Sequence, residues 1–354
     1  MWRLVLLPVS FIFGLGIRIR HFLFNIGILS SKSYEMPIIS VGNLSLGGSG
    51  KTPHTEYLVR LLLKEKKKIA ILSRGYGRKT KGYFKATPES DSTQIGDEPT
   101  QFQKKFGKHI TLAVDGSRRE GIETLMKEDK DMDVILLDDA MQHRFVKPGF
   151  SILLTDYRKL YSDDYLFPAG GLRDVKSAAR RADVIIVSKT ERMLSPIVRK
   201  DIHKKLNVAD HQKLYFSYLH YDKLVSLHDF ERRNNEKKYS IIVLFSGVAN
   251  SYPLKDYLRY RCRELISLDF PDHHYYTRKD VELIARTYED QFTRNKAIIT
   301  TEKDAMRLIN SPYLRILEDL PVYFLPIEVK FHGEDGEEFN DQILKYVREN
   351  PRKR

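Results

Sequence analysis

The chain of 354 residues contains only one cysteine, Cys262. A disulfide framework and a cysteine-based zinc site are therefore excluded, and a reducing compartment is the expected environment. Acidic residues are also scarce relative to basic ones: 47 Asp and Glu face 60 Lys and Arg, and the formal net charge is +13. A basic excess favours anionic partners, such as nucleotide phosphates, nucleic acid or a membrane surface, without choosing among them.

The sequence also lacks an uninterrupted apolar run of about 20 residues, the length that a membrane-spanning helix needs. Residues 4–17 carry no charge, Arg18 and Arg20 follow, and residues 22–29 are apolar again. No small-residue cleavage site follows, so a secretory signal peptide is not expected. Because aromatic and basic residues together suit a bilayer interface, we expect a helix on the membrane surface, with Arg3, Arg18 and Arg20 at anionic headgroups. The alternative is a helix buried in the protein's own core or in a partner.

Short apolar runs rich in β-branched residues recur through the rest of the chain, separated by stretches of helical spacing. Such runs are typical of strands buried on both faces, and their alternation with helices indicates a mostly parallel sheet. The predicted strands are residues 38–41, 69–72, 110–114, 134–137, 152–154 and 184–187, then 241–245, 265–268, 297–300 and 322–325.

A polar stretch over residues 199–212 is the expected boundary between two lobes. We therefore predict an α/β protein with three parts. These are a membrane-associated helix within 1–35, a larger lobe over 36–212, and a smaller α/β lobe over 213–354 with a basic tail.

The strongest motif is Gly-Asn-Leu-Ser-Leu-Gly-Gly-Ser-Gly-Lys-Thr at residues 42–52, which follows a predicted strand and opens a helix. This context is typical of a phosphate-binding loop (P-loop), in which glycines let backbone N–H groups converge on a phosphate. Lys51 would reach the β- and γ-phosphates of a nucleotide, and Thr52 would place its hydroxyl on Mg²⁺. Ser45 stands where the general pattern has glycine. The other predicted nucleotide contacts are Gly47, Gly48, Ser49 and Gly50. The alternative is a glycine-rich turn without a ligand.

A second motif is the apolar run Val-Ile-Leu-Leu-Asp-Asp at residues 134–139, which ends in two acids. A strand that ends in carboxylates can hold the Mg²⁺ of a bound nucleotide, so Asp138 and Asp139 are predicted metal ligands beside Thr52. Alone the pattern is weak, since strands often end in aspartate at a turn.

Further polar segments follow predicted strands, at residues 73–77, 96–99, 142–144 and 170–174. With them the chain resembles the tetraacyldisaccharide 4′-kinase family, the lipid A 4′-kinases of Gram-negative bacteria. The segments that carry the resemblance are the 42–52 loop, Ser-Arg-Gly-Tyr-Gly at 73–77, Gly-Asp-Glu-Pro at 96–99, Leu-Asp-Asp-Ala-Met-Gln-His-Arg at 137–144, Gly-Leu-Arg-Asp at 171–174, Phe-Pro-Asp-His-His at 270–274 and Thr-Thr-Glu-Lys-Asp-Ala at 300–305.

The resemblance covers nearly the whole chain and implies a P-loop NTPase-like lobe beside a smaller α/β lobe. It implies an enzyme that transfers the γ-phosphate of ATP, with Mg²⁺, to the 4′-hydroxyl of an acylated glucosamine disaccharide 1-phosphate. It also implies attachment to the cytoplasmic face of the inner membrane through the N-terminal helix.

The resemblance further implies roles for individual residues. Asp97 is the implied catalytic base, with His273 as its partner. From the residues alone, a turn residue is the favoured interpretation of Asp97, and a solvated loop is the alternative for His273. The other implied site residues are Arg118 and Gln142 for the nucleotide, and Arg74, Tyr76, Arg173 and Asp174 for the lipid substrate. Arg119, the neighbouring residue, is an equally suitable candidate for the phosphate contact of Arg118.

Two rival interpretations come from other features. The first is a membrane-associated GTPase switch. It is suggested by Val-Ser-Lys-Thr-Glu at residues 187–191, which faintly resembles the guanine-reading element of GTPases, although Ser188 and Glu191 depart from it. The charge of +13 would suit a nucleic-acid-binding ATPase, but the sequence has no RNA- or DNA-reading motif. We therefore expect no nucleic-acid partner. A monomer is the expected oligomeric state.

Overall fold

The computed structural model describes residues 2–229, 232–234, 238–248, 250–272, 274–309 and 311–352. The strands are β1 (Ile38–Asn43), β2 (Ile69–Ser73), β3 (Phe84–Lys85), β4 (Ile110–Val114), β5 (Val134–Asp138), β6 (Phe150–Asp156), β7 (Val184–Ser188), β8 (Lys213–Tyr221), β9 (Leu224–Ser226), β10 (Arg233–Asn234), β11 (Tyr239–Ser246), β12 (Cys262–Asp269), β13 (Lys296–Thr301), β14 (Val322–Leu325) and β15 (Ile327–Phe331). Every strand predicted from the sequence lies within one of these.

The α-helices are α1 (Trp2–Asn25), α2 (Lys51–Lys64), α3 (Ser92–Ile95), α4 (Asp97–Phe106), α5 (Arg118–Glu128), α6 (Pro196–Leu206), α7 (Tyr252–Arg259), α8 (Arg278–Glu289), α9 (Glu302–Ile309) and α10 (Asp335–Glu349). Short 3₁₀-helices cover Tyr161–Asp163, Lys176–Arg181 and Pro312–Leu317. The chain divides into two compact units. The larger contains Met1–Ser90, Phe102–His220 and Val329–Arg354, and the smaller contains Asp91–Gln101 and Tyr221–Glu328.

The sheet of the larger unit places β1 at the point where the direction of strand succession reverses. Its order is β15-β8-β7-β6-β1-β5-β2-β4-β3. β1 pairs in parallel with β5 on one side and with β6 on the other, and all six of its residues are buried. Ligands of open α/β sheets bind at the carboxyl ends of strands at such a switch point. The sheet therefore presents the loop after β1 as its ligand site.

The smaller unit has a six-stranded sheet of order β10-β9-β14-β13-β11-β12. β11 to β14 pair in parallel, and β9 runs antiparallel to β14. Apolar side chains of β11 and β13, including Val243, Phe245 and Ile298, form its core with residues of α8 and α9. The predicted α/β class, with a mostly parallel sheet in the larger unit and a second α/β unit, is confirmed.

The observed units differ from the predicted lobes of 36–212 and 213–354. The expected boundary at 199–212 is largely the helix α6, whose Ile202 and Leu206 are buried in the larger unit. The chain also returns to this unit at its C-terminal end, because aromatic side chains of α10 complete its core. Phe339 packs against Tyr57 of α2 and Tyr215 of β8. Local periodicity cannot predict such a return, since the contacts join residues far apart in sequence.

The N-terminal segment forms one continuous helix, as predicted, and this helix includes both the first apolar run and the basic residues after it. The 24 residues of α1 extend about 36 Å at 1.5 Å per residue. Within the described residues, one helix, over Val5–Asn25, is long and apolar enough to cross a membrane. Gly14 lets α1 approach the segment around Leu166 closely, since a Cβ at position 14 would lie 2.6 Å from the Leu166 side chain.

Basic residues between the two apolar runs bind the protein and leave the helix unbroken. Arg20 donates to the carbonyl of Gln142 at 3.1 Å, and His21 Nε2 lies 2.6 Å from Asp174 Oδ1. The guanidinium of Arg20 thus contacts the protein, and its predicted contact with lipid headgroups stays a prediction.

Phe339→Ala is expected to destabilise the larger unit, because this side chain is only 1% exposed and its loss leaves a cavity. The free energy of unfolding should fall by about 3–5 kcal/mol, measured by urea denaturation. Phe292→Ala is the matched control, since Phe292 is fully exposed, and it should leave the free energy unchanged. Equal stability of the two variants would contradict the assignment of α10 to this core.

Candidate active site

The loop between β1 and α2 has the backbone of an anion-binding turn. Gly47 and Gly50 adopt φ angles of 110° and 84°, which side chains with a Cβ rarely adopt. Leu46 N–H donates to the Gly171 carbonyl at 2.6 Å, and Arg173 N–H donates to the Leu44 carbonyl at 2.8 Å. The loop is thus fixed to the segment before residue 174, and the helix N-terminus after it favours negative charge.

Two side chains of this loop, those of Ser49 and Lys51, are able to contact a bound phosphate. The Ser49 hydroxyl is buried and has no hydrogen-bond partner among the described residues. A buried hydroxyl without a partner is costly, so a ligand oxygen at this position would relieve that cost. Lys51 Nζ lies 3.7 Å from Asp139 Oδ1 and is largely buried.

Asp139 is bound by two cations at the carboxyl end of β5. Arg173 donates to both of its carboxylate oxygens and also to the side chain of Asn43. Burial alone would raise the pKa of the Asp139 carboxyl, but the Arg173 hydrogen bond and the Lys51 charge hold that pKa below its ordinary value. Asp139 is therefore an anion at neutral pH, which a metal ligand must be.

Asp138 is the buried last residue of β5. Its Oδ2 accepts from Ser73 Oγ at 3.1 Å, and its backbone carbonyl accepts from Arg118 at 3.0 Å. Burial lowers the pKa of Arg118 to about 10, so the guanidinium still carries its charge at neutral pH. Arg119 instead lies on the surface, where it pairs with Glu123. The structure therefore brings Arg118, and not Arg119, to the two acids.

The donor set at this site suits magnesium. Thr52, Asp138 and Asp139 supply only oxygen, which Mg²⁺ prefers. No group of three or more His, Cys, Asp or Glu side chains within the described ranges could hold a metal alone. A magnesium ion here would therefore take part of its coordination from nucleotide phosphates and water, as Mg²⁺ commonly does.

Three other predicted site residues lie in the loops that follow β2 and β5. Gln142 donates to the Asn43 carbonyl at 2.7 Å. Arg74 follows β2 and is exposed, and its charge acts on Arg118. Tyr76 is 79% exposed in the same loop.

His143 and Asn43 also belong to this region, although neither was singled out from the sequence. Burial first, and then the charges of Arg118 and Arg74, lower the pKa of His143 to about 4, so its ring is neutral at pH 7. Asn43 lies inside the 42–52 motif and His143 inside the 137–144 motif, and this position is the signal by which the sequence could have identified them.

Asp174 lies beneath α1 rather than beside Asp139. It accepts from His21 and from Arg181 at 3.1 Å, and it also accepts from its neighbour's N–H. Burial alone would raise its pKa, but the His21 hydrogen bond and the Arg181 charge lower it. Its predicted contact with the lipid substrate stays a prediction.

The predicted base belongs to the smaller unit. Asp97 begins α4, and its Oδ2 accepts from Arg307 at 3.0 Å. The side chain of Arg307 is 2% exposed. It also donates to Asp304 and to the Gly247 carbonyl, each at 2.9 Å. Residue 273, the predicted partner of Asp97, lies outside the described residues. Arg307 was not predicted; it directly follows the 300–305 segment and Met306.

Comparison with known proteins matches this chain along almost its full length. The family model for tetraacyldisaccharide-1-P 4′-kinase matches residues 2–348. The tetraacyldisaccharide 4′-kinases of Bacteroides thetaiotaomicron and Parabacteroides distasonis are both 43% identical to it, over 98% and 97% of this chain and 94% of each relative.

A solved structure shares the fold. LpxK from Aquifex aeolicus, crystallised in complex with ATP, is 28% identical, with a TM-score of 0.76, over 98% of this chain and 100% of that one. The family predicted from the motifs is confirmed. The chain belongs to the tetraacyldisaccharide-1-P 4′-kinase family and is a kinase.

Proposed function

We propose that this kinase transfers the γ-phosphate of ATP to the 4′-hydroxyl of tetraacyldisaccharide 1-phosphate, a lipid A precursor. The observation that carries the proposal is the loop between β1 and α2, with Lys51 and Asp139 held 3.7 Å apart at its end. An anion-binding turn, a lysine and carboxylates at one sheet edge are the parts that phosphoryl transfer from a nucleotide requires.

The larger unit is proposed to bind the nucleotide. The buried Ser49 hydroxyl and the backbone N–H groups of residues 47–52, apart from that of Ser49, would contact phosphate oxygens, and Lys51 would neutralise the β- and γ-phosphates. Thr52, Asp138 and Asp139 would hold Mg²⁺, which when bound neutralises charge on the phosphates. Arg118 and Gln142 would complete the phosphate contacts.

The smaller unit is proposed to supply the base. A sugar hydroxyl is a weak nucleophile at pH 7 and needs an acceptor for its proton within hydrogen-bond reach. Asp97 is the proposed acceptor, with His273 as its partner. The charge-assisted bond from Arg307 fixes the orientation of the Asp97 carboxylate, since Arg307 is itself held by Asp304.

A cavity of about 720 Å³ beside α1 is the proposed site for part of the lipid substrate. Its lining includes the apolar side chains of Leu7, Phe11 and Leu166 together with Arg18 and Lys176. The volume is within the range of small-molecule sites. Apolar walls suit an acyl chain, and the two cations suit a phosphate.

Two further residues are proposed to contact the sugar: Arg74 and Tyr76, both exposed after β2. Arg173 and Asp174 are also proposed to contact the lipid substrate, and their bonds to Asp139 and to His21 would hold them in place.

Helix α1 is proposed to attach the protein to the cytoplasmic face of the inner membrane. Its outward residues are apolar and well exposed, among them Val5, Ile12, Ile19 and Phe22. An exposed apolar helix face of this kind suits an acyl environment. No RNA- or DNA-reading motif accompanies it in the sequence, so nucleic acid is not proposed as a partner.

Lys51→Ala should abolish transfer of radiolabelled phosphate from ATP to purified disaccharide 1-phosphate, because the phosphates lose their counter-charge. Lys64→Ala, a change at the other end of α2, is the control and should transfer phosphate normally. Near-normal transfer by Lys51→Ala with an intact fold would remove the loop from the mechanism.

Asp97→Asn should lower kcat by about 100-fold or more, because the amide cannot accept the proton, with a smaller effect on ATP affinity. Steady-state kinetics in both substrates would measure this. Glu98→Gln is the matched control, since Glu98 is the neighbouring carboxylate and pairs with Lys303. A change confined to KM would mean that Asp97 binds substrate and is not the base.

Replacing Val5, Ile12 and Ile19 by serine should lower the membrane partition coefficient by at least tenfold, since three exposed apolar side chains are lost. Sedimentation with inner-membrane vesicles would measure it. Met193→Ser with Ile197→Ser is the control, because these apolar residues are even more exposed but lie outside α1. Unchanged sedimentation of the α1 variant would contradict attachment through this helix.

A further inference from the structure

Four side chains contact backbone carbonyl groups of the P-loop. The carbonyl of Gly47 accepts from Asn43 at 3.3 Å, and that of Ser49 accepts from Ser188 at 2.7 Å. The Gly50 carbonyl lies 2.7 Å from His54 Nδ1. The fourth contact is from Lys189 Nζ to the Gly48 carbonyl.

These contacts fix the direction of the loop's N–H groups. In a trans peptide the C=O of one residue points opposite to the N–H of the next. A side chain that holds a carbonyl therefore also aims the following N–H away from itself. The Gly48 carbonyl belongs to the peptide whose N–H, on Ser49, closes a tight turn onto the Gly47 carbonyl at 3.0 Å.

Lys189 is the least expected of the four. It follows β7 in the 187–191 segment, whose faint resemblance to a guanine-reading element the kinase assignment leaves unexplained. Its backbone is left-handed, with φ of 58°, an unusual conformation for a residue other than glycine that persists where surrounding contacts enforce it. Its flanking residues supply those contacts: Ser188 O accepts from Tyr157 N–H, and Thr190 N–H donates to Ser217 O.

The side chain of Lys189 joins the loop to a second strand. Its Nζ lies 2.9 Å from Asp156 Oδ2 at the end of β6, as well as on the Gly48 carbonyl. A partly exposed lysine–aspartate pair adds little stability by itself. The contact of Lys189 with the Gly48 carbonyl has a different effect, which is to restrain the backbone of the loop. Gly47 and Gly48 are exposed, and glycine has the most backbone freedom to lose.

We propose that Lys189 is a positioning residue for ATP, which holds the Gly47–Ser49 turn, and with it the unpartnered Ser49 hydroxyl, in the phosphate-binding conformation before the nucleotide arrives. ATP then binds to a loop that is already ordered, so less of its binding energy is lost in ordering the glycines. The proposal rests on the placement of the ATP phosphates in this loop. Lys189 acts through the loop backbone and leaves the γ-phosphate to Lys51.

The test compares Lys189→Met, which keeps the length of the side chain, with Lys189→Arg, which keeps a cationic donor. In the absence of lipid, the Kd for ATP measured by calorimetry should rise about tenfold in Lys189→Met, as for a lost charged hydrogen bond. Lys189→Arg should recover most of the affinity. At saturating ATP, kcat should stay within about twofold of wild type, since the ordered loop is the same once filled.

Two further measurements separate positioning from general stability. Amide hydrogen exchange at Ser49 and Gly50 should be faster in nucleotide-free Lys189→Met, with the melting temperature unchanged. Lys255→Met is the matched control, since Lys255 also pairs with an aspartate, Asp269, but in the smaller unit. It should leave the Kd for ATP unchanged.

A Kd for ATP within twofold of wild type in Lys189→Met would overturn the proposal, and so would equal losses in the Met and Arg variants. If Lys189→Met fails to fold, Asp156→Asn decides by the same criterion, because it removes the anchor and keeps the lysine. Lys51→Ala serves as the comparator. Unchanged ATP affinity in that variant would refute the placement of ATP itself, whatever Lys189 does.

Discussion

The turn between β1 and α2 is the constraint on which the rest of the larger unit depends. A turn that gathers N–H groups must leave its carbonyls facing elsewhere, and it needs left-handed backbone at Gly47 and Gly50. Neither condition is favourable for an isolated peptide. β1 supplies a rigid start because all its residues are buried and paired on both sides, and α2 supplies a rigid end. The sheet order then serves one purpose, which is to bring polar side chains to the edge where this turn lies.

The charges at that edge are balanced before any ligand binds. Asp139 is neutralised by Arg173 and Lys51, and Arg118 lies against the carbonyl of Asp138. Isolated buried charges would be expensive, whereas paired ones are tolerated. The proposed nucleotide with Mg²⁺ would bring both signs of charge, so it would exchange partners with this set without leaving either sign uncompensated. This explains why a buried cluster of acids and bases can remain in a stable sheet.

Much of this arrangement could be predicted from the sequence, because it is written in local patterns. Continuous β-branched runs give parallel strands, and glycines before Lys51 give the turn. What could not be predicted depends on contacts between distant residues. Phe339 packs against Tyr57, which lies 282 residues earlier in the chain, and Arg307 contacts Asp97 from another helix. Lys189 was noticed, but its partner on Gly48 lies far away in sequence, and no local spacing encodes such a pair.

Helix α1 is joined to the same segments that build the phosphate site. Arg173 binds Asp139, and the next residue, Asp174, binds His21 of α1. On the other side, Gln142 binds the Asn43 carbonyl through its side chain, while its own carbonyl accepts from Arg20. Two neighbouring pairs of contacts therefore connect a helix with an apolar outer face to the carboxyl ends of β1 and β5. Because the linking residues are adjacent or identical, α1 cannot shift far without moving Arg173 or Gln142. Helix α1, the proposed membrane contact, and the proposed phosphate site are thus joined through Arg173, Asp174 and Gln142. This connection suits the proposed enzyme, whose two substrates would come from a membrane and from water.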